Sequence, residues 1–131
     1  MDLLLRYREE IAKDLIVDDF NIKDVQQRLP ARKHFWVARL IDTKIELNNL
    51  IKLKKRLKLV LIKKISAEST VSLSQAALSN AVDNSEEINK LDDKIKDYEF
   101  IIEYLEKTDK IMNNMHWEIK NIIEIQKLEQ L

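Results

Sequence analysis

The chain of 131 residues contains no glycine and no cysteine, and it has one proline, Pro30. Without glycine, a chain cannot readily build phosphate-cradling loops, the primed turns of β-hairpins or left-handed helix caps. This excludes the P-loop and the dinucleotide-binding fingerprint. Strands would also lack their usual turn residues. The sequence therefore predicts an all-α protein made of long helices with few breaks.

The lack of cysteine excludes a disulfide framework and a thiolate metal site, and it is compatible with a reducing cytoplasm. The segment from Met1 to Arg6 lacks the basic start and the long apolar run of a signal peptide. No stretch approaches the roughly 18 apolar residues that a membrane span needs. We therefore expect no membrane association.

Residues suited to catalysis or metal binding are few. The two histidines, His34 and His116, could form a two-histidine metal site or could simply pack at one end of a helical hairpin. No HExxH motif or carboxylate–histidine cluster supports a ligand set. The serines lack a histidine in motif context. We expect no enzyme, no metal and no cofactor.

Residues 1–29 are expected to form an N-terminal helical segment. Leu4, Ile11 and Leu15 recur at helical spacing and predict a first helix from about Leu3 to Leu15. The aspartates and the asparagine within residues 17–21 predict a break, because these side chains favour turns and caps. A weaker helical stretch follows before the proline.

Two long helices are predicted in the rest of the chain. The first, a basic helix over 30–67, should begin at Pro30, because proline suits the first turn of a helix but disfavours helix in the residue before it. A serine-rich connector over 68–84 follows. The second long helix, over 85–131, should start at Asn84 as N-cap, with Glu87 completing a capping box.

These lengths predict an antiparallel helical hairpin. Two helices cannot enclose a core, so each leaves an apolar surface that another copy of the chain must cover. We therefore expect a ring-like coiled-coil homo-oligomer. The residues expected at the subunit interface recur at steps of three and four along the C-terminal helix: Leu91, Ile95, Tyr98, Ile102, Leu105, Met112, Ile119 and Ile122.

The charges of the chain are segregated, although 23 basic and 23 acidic residues give a net charge of zero. No acidic residue lies between Glu46 and Glu68, whereas acids outnumber bases from Asp83 onward. A positive segment of this kind attracts a polyanion. Its basic residues are the predicted nucleic-acid contacts: Lys52, Lys54, Lys55, Arg56, Lys58, Lys63 and Lys64.

Three interpretations of this basic segment compete. A membrane-surface helix needs apolar and basic faces that are separate, but here Leu53 and Leu57 lie opposite Ile51 and Ile62 with lysines between them. In a purely structural role, the lysines would neutralise the acidic helix. In a nucleic-acid site, they would bind phosphates along a line. Nothing in the segment reads base edges, so binding would tolerate any sequence.

The order of several motifs resembles the UvsY family, the recombination mediator proteins of large tailed phages. The resemblance covers nearly the whole chain. It rests on the basic segment and on four further segments in the family's order: Tyr7–Asp14, Pro30–Trp36, Ile102–Glu106 and Trp117–Glu124. Many members carry a Tyr-Tyr and Gly element after the basic helix, and here that place reads Ile65-Ser66-Ala67.

The resemblance implies a fold, partners and a role. Members of the family form rings, with a hexamer or heptamer implied, and bind single-stranded DNA. They help to remove the phage single-strand-binding protein and load a RecA-like recombinase, in the cytoplasm of the infected bacterial host. Family members place two basic residues, two positions apart, in the DNA-binding helix. Arg56 and Lys58 are the first choice for this pair, although other pairs in the segment have the same spacing. The alternative is a structural coiled-coil scaffold or adaptor that binds no DNA.

Overall fold

The computed structural model describes residues 2–130, which form four α-helices: α1 (Asp2–Asp14), α2 (Ile22–Glu68), α3 (Gln75–Asp83) and α4 (Glu86–Glu129). No strand occurs in this described part, and the predicted all-α fold class is confirmed. Met1 and Leu131, the outermost residues of the predicted segments 1–29 and 85–131, lie outside the described residues.

The chain divides into two compact units. Unit 1 comprises Met1–Asp42 and Phe100–Leu131, and unit 2 comprises Thr43–Glu99. Unit 1 therefore contains α1, the beginning of α2 and most of α4. Unit 2 contains the rest of α2, all of α3 and the beginning of α4.

The predicted break at residues 17–21 is confirmed as an ordered turn between α1 and α2. The Asp18 carboxylate accepts hydrogen bonds from the backbone N–H groups of Phe20 and Asn21, each at 2.8 Å. The Asn21 side chain accepts one from the Asp18 N–H at 2.8 Å and donates one to the Ile16 carbonyl at 3.0 Å. The turn residues thus supply the hydrogen bonds that a helix would otherwise provide.

The expected start of the long helix at Pro30 is wrong, because α2 begins at Ile22 and contains the proline. Proline removes one backbone hydrogen bond from a helix interior. The residues before it compensate, since Ile22, Val25 and Leu29 are buried in the core of unit 1 at helical spacing. Tertiary burial therefore overrides the local preference of the proline.

The predicted connector contains a short helix, α3, and this moves the start of α4. The Ser74 hydroxyl caps α3 by accepting a hydrogen bond from the Ala77 N–H at 3.1 Å. Asn84, expected to be the N-cap of the last helix, is instead the C-cap of α3. Ser85 takes the N-cap role, because its hydroxyl accepts a hydrogen bond from the Ile88 N–H at 3.4 Å.

Unit 1 has a hydrophobic core of its own, to which α1, α2 and α4 all contribute. Ile11 of α1 and Trp36 of α2 lie in this core with Leu105, Met112 and Ile119 of α4. The premise that two helices leave their apolar stripes open is therefore wrong for unit 1. The first helix and the early part of α2 cover the stripe of α4 within the same chain.

Unit 2 has a smaller core. Leu61 of α2 packs with Val82 of α3 and Ile88 of α4, and Leu57, Ile62 and Ile65 pack around them. Lys54 pairs with Asp92, whereas the later Lys58 pairs with the earlier Asp83. Within unit 2, α2 and the chain that follows it therefore run antiparallel, as predicted.

Candidate nucleic-acid interface

All seven predicted DNA contacts lie in unit 2, on one continuous stretch of α2. Leu50 and Leu61 are buried and mark the inner face of this stretch. At about 100° per residue, Lys52, Arg56 and Lys63 fall within about 40° of one another, on the side opposite Leu61. We call these three residues the outer line.

Two of the seven basic residues are neutralised by ion pairs within the chain. The Lys54 ammonium lies 2.6 Å from the Asp92 carboxylate, and the Lys58 ammonium lies 2.9 Å from that of Asp83. All four side chains are only partly exposed. The structural interpretation of the basic segment therefore fits Lys54 and Lys58, which hold α2 to its acidic neighbours.

The other five basic residues remain available to a ligand. Across residues 2–130 no ion pair involves any of them, and each is exposed: Lys52, Lys55, Arg56, Lys63 and Lys64. The outer line extends for about 16 Å at 1.5 Å per residue. A row of exposed cations of this kind matches the repeated phosphates of a nucleic-acid backbone.

Exposed aliphatic side chains lie among these cations. Leu53, Leu59 and Val60 all project into solvent, while no aromatic residue occurs between Lys52 and Lys64. Nothing in the segment therefore offers a flat ring on which a base could stack. None of the described helices is long and apolar enough to cross a membrane.

The described part of the chain has no group of three or more His, Cys, Asp or Glu side chains that could hold a metal ion. The two tryptophans near the histidines have different surroundings. Trp36 is buried and packs edge-on against Tyr7 and Phe35. Trp117 is exposed beside His116.

The residues expected at the subunit interface separate into three groups. Leu105, Met112 and Ile119 are at most 2% exposed, in the core of unit 1, so another subunit cannot reach them in this structure. Ile122 is exposed. The other four are half-buried: Leu91, Ile95, Tyr98 and Ile102.

Sequence reasoning missed a polar cluster that joins α1 to α2. One oxygen of Asp14 accepts hydrogen bonds from Arg32 Nε at 2.9 Å, Arg32 Nη2 at 2.7 Å and Trp36 Nε1 at 2.8 Å. Arg39 also pairs with Glu10. The spacing of Arg32, Trp36 and Arg39 at steps of four and three was the available signal, because it places all three on one helix face.

Comparisons with known proteins agree on one family. A family model described as "Recombination, repair and ssDNA binding protein UvsY" matches residues 10–130. No curated protein sequence matches the chain.

Solved structures of the bacteriophage T4 recombination mediator protein UvsY share the fold. One crystal form has a TM-score of 0.83 at 15% identity, covering 96% of this chain and 98% of that chain. A second has a TM-score of 0.78 at 14% identity, covering 98% of each chain. A third gives 0.75 at 14% identity, covering 93% of this chain and 97% of that one. The chain therefore belongs to the UvsY family of recombination, repair and single-stranded-DNA-binding proteins.

Proposed function

We propose that this protein is a recombination mediator that binds single-stranded DNA without sequence preference through the outer line of α2. The observation that carries the proposal is the row of exposed, unpaired cations formed by Lys52, Arg56 and Lys63, in a chain of a single-stranded-DNA-binding family. Lys55 and Lys64 flank this row. Lys54 and Lys58 contribute less, because Asp92 and Asp83 neutralise them.

The row contacts the backbone and leaves the bases free. Cations that neutralise phosphates release condensed counterions, which makes binding strong at low salt and independent of sequence. Base recognition would need polar side chains directed at base edges or aromatic rings for stacking, and this stretch of α2 has no aromatic ring. Bases left free by the mediator remain accessible to a recombinase.

Self-association would repeat the outer line around an oligomer. A hexamer or heptamer would present six or seven such rows to one strand. We propose that holding the strand in this way weakens the grip of the phage single-strand-binding protein and presents the DNA to a RecA-like recombinase. The site of action would be the cytoplasm of the infected bacterial host, and the role requires no catalysis by this chain.

The direct test is the triple substitution of Lys52, Arg56 and Lys63 to Ala, assayed by fluorescence anisotropy with labelled oligo(dT). We expect a large loss of affinity with an unchanged circular dichroism spectrum, because exposed charges contribute little to stability. The matched control replaces three exposed lysines of α4 within unit 2, which gives the same change in net charge: Lys90, Lys94 and Lys96.

The control separates backbone contact from general charge. Equal losses in the two triple variants would contradict a specific role for the outer line. A wild-type chain that assembles but binds no oligo(dT) would instead support the alternative of a structural scaffold or adaptor. Oligonucleotides of mixed sequence should bind within a few-fold of oligo(dT), since the proposed contacts are to phosphates.

A further inference from the structure

The turn between α1 and α2 presents an aromatic side chain entirely to solvent. Phe20 is 100% exposed, which is unusual for a large apolar residue. The backbone of the turn is held by the hydrogen bonds of the Asp18 and Asn21 side chains described above. These hydrogen bonds order the backbone that carries the ring, and an exposed aromatic ring on an ordered turn resembles the anchors of interface hot spots.

The charges around Phe20 argue against nucleic acid as its partner. An exposed ring in a DNA-binding protein could stack on a base. Asp18 and Asp19 flank the ring, however, and would repel the phosphates beside that base. The nearest basic residue along α2 is Lys23. Asp19 also accepts a hydrogen bond from the Gln126 side chain at 3.3 Å. A partner surface with an apolar recess and a positive rim fits this turn better.

Such a recess exists on the same unit. An open groove of about 480 Å³ lies between α1 and α4. Leu4, Phe100 and Tyr104 supply its apolar lining. Its charged residues are Arg8, Glu103 and Lys107, and because Lys107 pairs with Glu103 at 3.1 Å, Arg8 leaves the rim with a net positive charge.

The groove cannot be filled by the Phe20 of its own chain. Phe20 itself lines a separate recess next to the turn, together with Ile123 and Gln126. Along α4, Ile123 is 16 residues beyond Lys107 of the groove, or about 24 Å at 1.5 Å per residue. Both surfaces belong to unit 1, so the Phe20 that reaches the groove must come from a second copy.

We propose that Phe20 of one copy inserts into the groove formed by Leu4, Phe100 and Tyr104 of the next copy. The carboxylates of Asp18 and Asp19 would then lie near Arg8. The two surfaces differ, so the contact is head-to-tail, and such contacts form a ring when the rotation between copies closes. The proposal deepens the self-assembly part of the proposed function and is independent of the outer line.

Two variants test this contact without disturbing a buried residue. Phe20→Ala removes the inserted side chain, and Phe100→Glu places a carboxylate in the groove opposite Asp18 and Asp19. Phe100 is 45% exposed, so the second change should leave the chain folded. The affinity between copies of each variant alone should be at least about tenfold lower than that of the wild type. Burying one Phe side chain contributes a factor of about ten or more to an association constant. Val71→Ala, an exposed apolar truncation in unit 2, should keep the wild-type mass.

Mixing the two variants gives the decisive result in sedimentation velocity. The Phe20→Ala chain keeps an intact groove and the Phe100→Glu chain keeps an intact Phe20, so a one-to-one mixture can form one complete contact and should yield dimers. Phe20→Ala chains that retain the wild-type mass, a mixture that stays monomeric, or a monomeric wild type would each overturn the proposal. Oligo(dT) affinity, measured on the same samples with Lys52, Arg56 and Lys63 intact, tests the DNA-binding proposal separately.

Discussion

Asp14 should contribute more to stability than any surface ion pair in the molecule, and replacing it with Ala tests this. Its carboxylate is only 12% exposed and lies at the end of α1, where it accepts two hydrogen bonds from Arg32 and one from the indole of Trp36. A carboxylate at a helix C-terminus is unfavourable by itself. Its presence there indicates that the contacts with α2 outweigh this local cost.

The expected loss can be worked out from these contacts. Leaving the buried Trp36 N–H without a partner costs about 1–3 kcal/mol. Arg32 is 33% exposed, so water can partly replace its partner, and its loss is nearer about 1 kcal/mol. Relief of the unfavourable carboxylate at the end of α1 returns about 0.5 kcal/mol. Asp14→Ala should therefore lower the free energy of unfolding by about 1.5–3.5 kcal/mol.

Urea denaturation at equal protein concentration measures this loss, with Asp24→Ala as the matched control. Asp24 pairs with Arg28 on the same face of α2, but both side chains are more than half exposed. Its loss should stay below about 1 kcal/mol. If the two variants unfolded within about 0.5 kcal/mol of each other, the reasoning about the Asp14 cluster would be refuted.

Three further substitutions test other parts of the structure. Pro30→Ala should raise the free energy of unfolding by about 1–2 kcal/mol in urea, because it restores a helix hydrogen bond; a loss would contradict this. Leu105→Asp should abolish most of the helical circular dichroism signal, while the exposed Ile125→Asp should keep it. Arg56→Ala should weaken oligo(dT) binding more than Lys58→Ala, whose lysine is already paired; the reverse order would count against the outer line.

The sequence predicted the positions of the helices better than it predicted which residues pack against one another. The apolar spacing of α4 and the acidic turn before α2 were readable because they depend on local pattern. The expected helix start at Pro30 is wrong because the burial of Ile22, Val25 and Leu29 depends on contacts that are distant in sequence. Leu105 is buried in the same core, whereas the sequence shows it only as one member of an apolar stripe.

The basic segment shows the same limit at the candidate site. The sequence shows its seven basic residues as one continuous segment, and helical spacing alone places Lys52, Arg56 and Lys63 on one face. The positions of Asp83 and Asp92 determine which of these basic residues are neutralised. The sequence does not give the register between these aspartates and α2. The pairing of Lys54 and Lys58 could therefore be found only in the structure.

The salt dependence of oligo(dT) affinity is the most direct test of the central claim that the outer line contacts phosphates. Each phosphate contact on a single strand contributes about −0.7 to the slope of log K against log salt. Removing Lys52, Arg56 and Lys63 should therefore make the slope per subunit less steep by about 2, while the Lys90, Lys94 and Lys96 control keeps the wild-type slope. An unchanged slope in the outer-line variant would contradict the account.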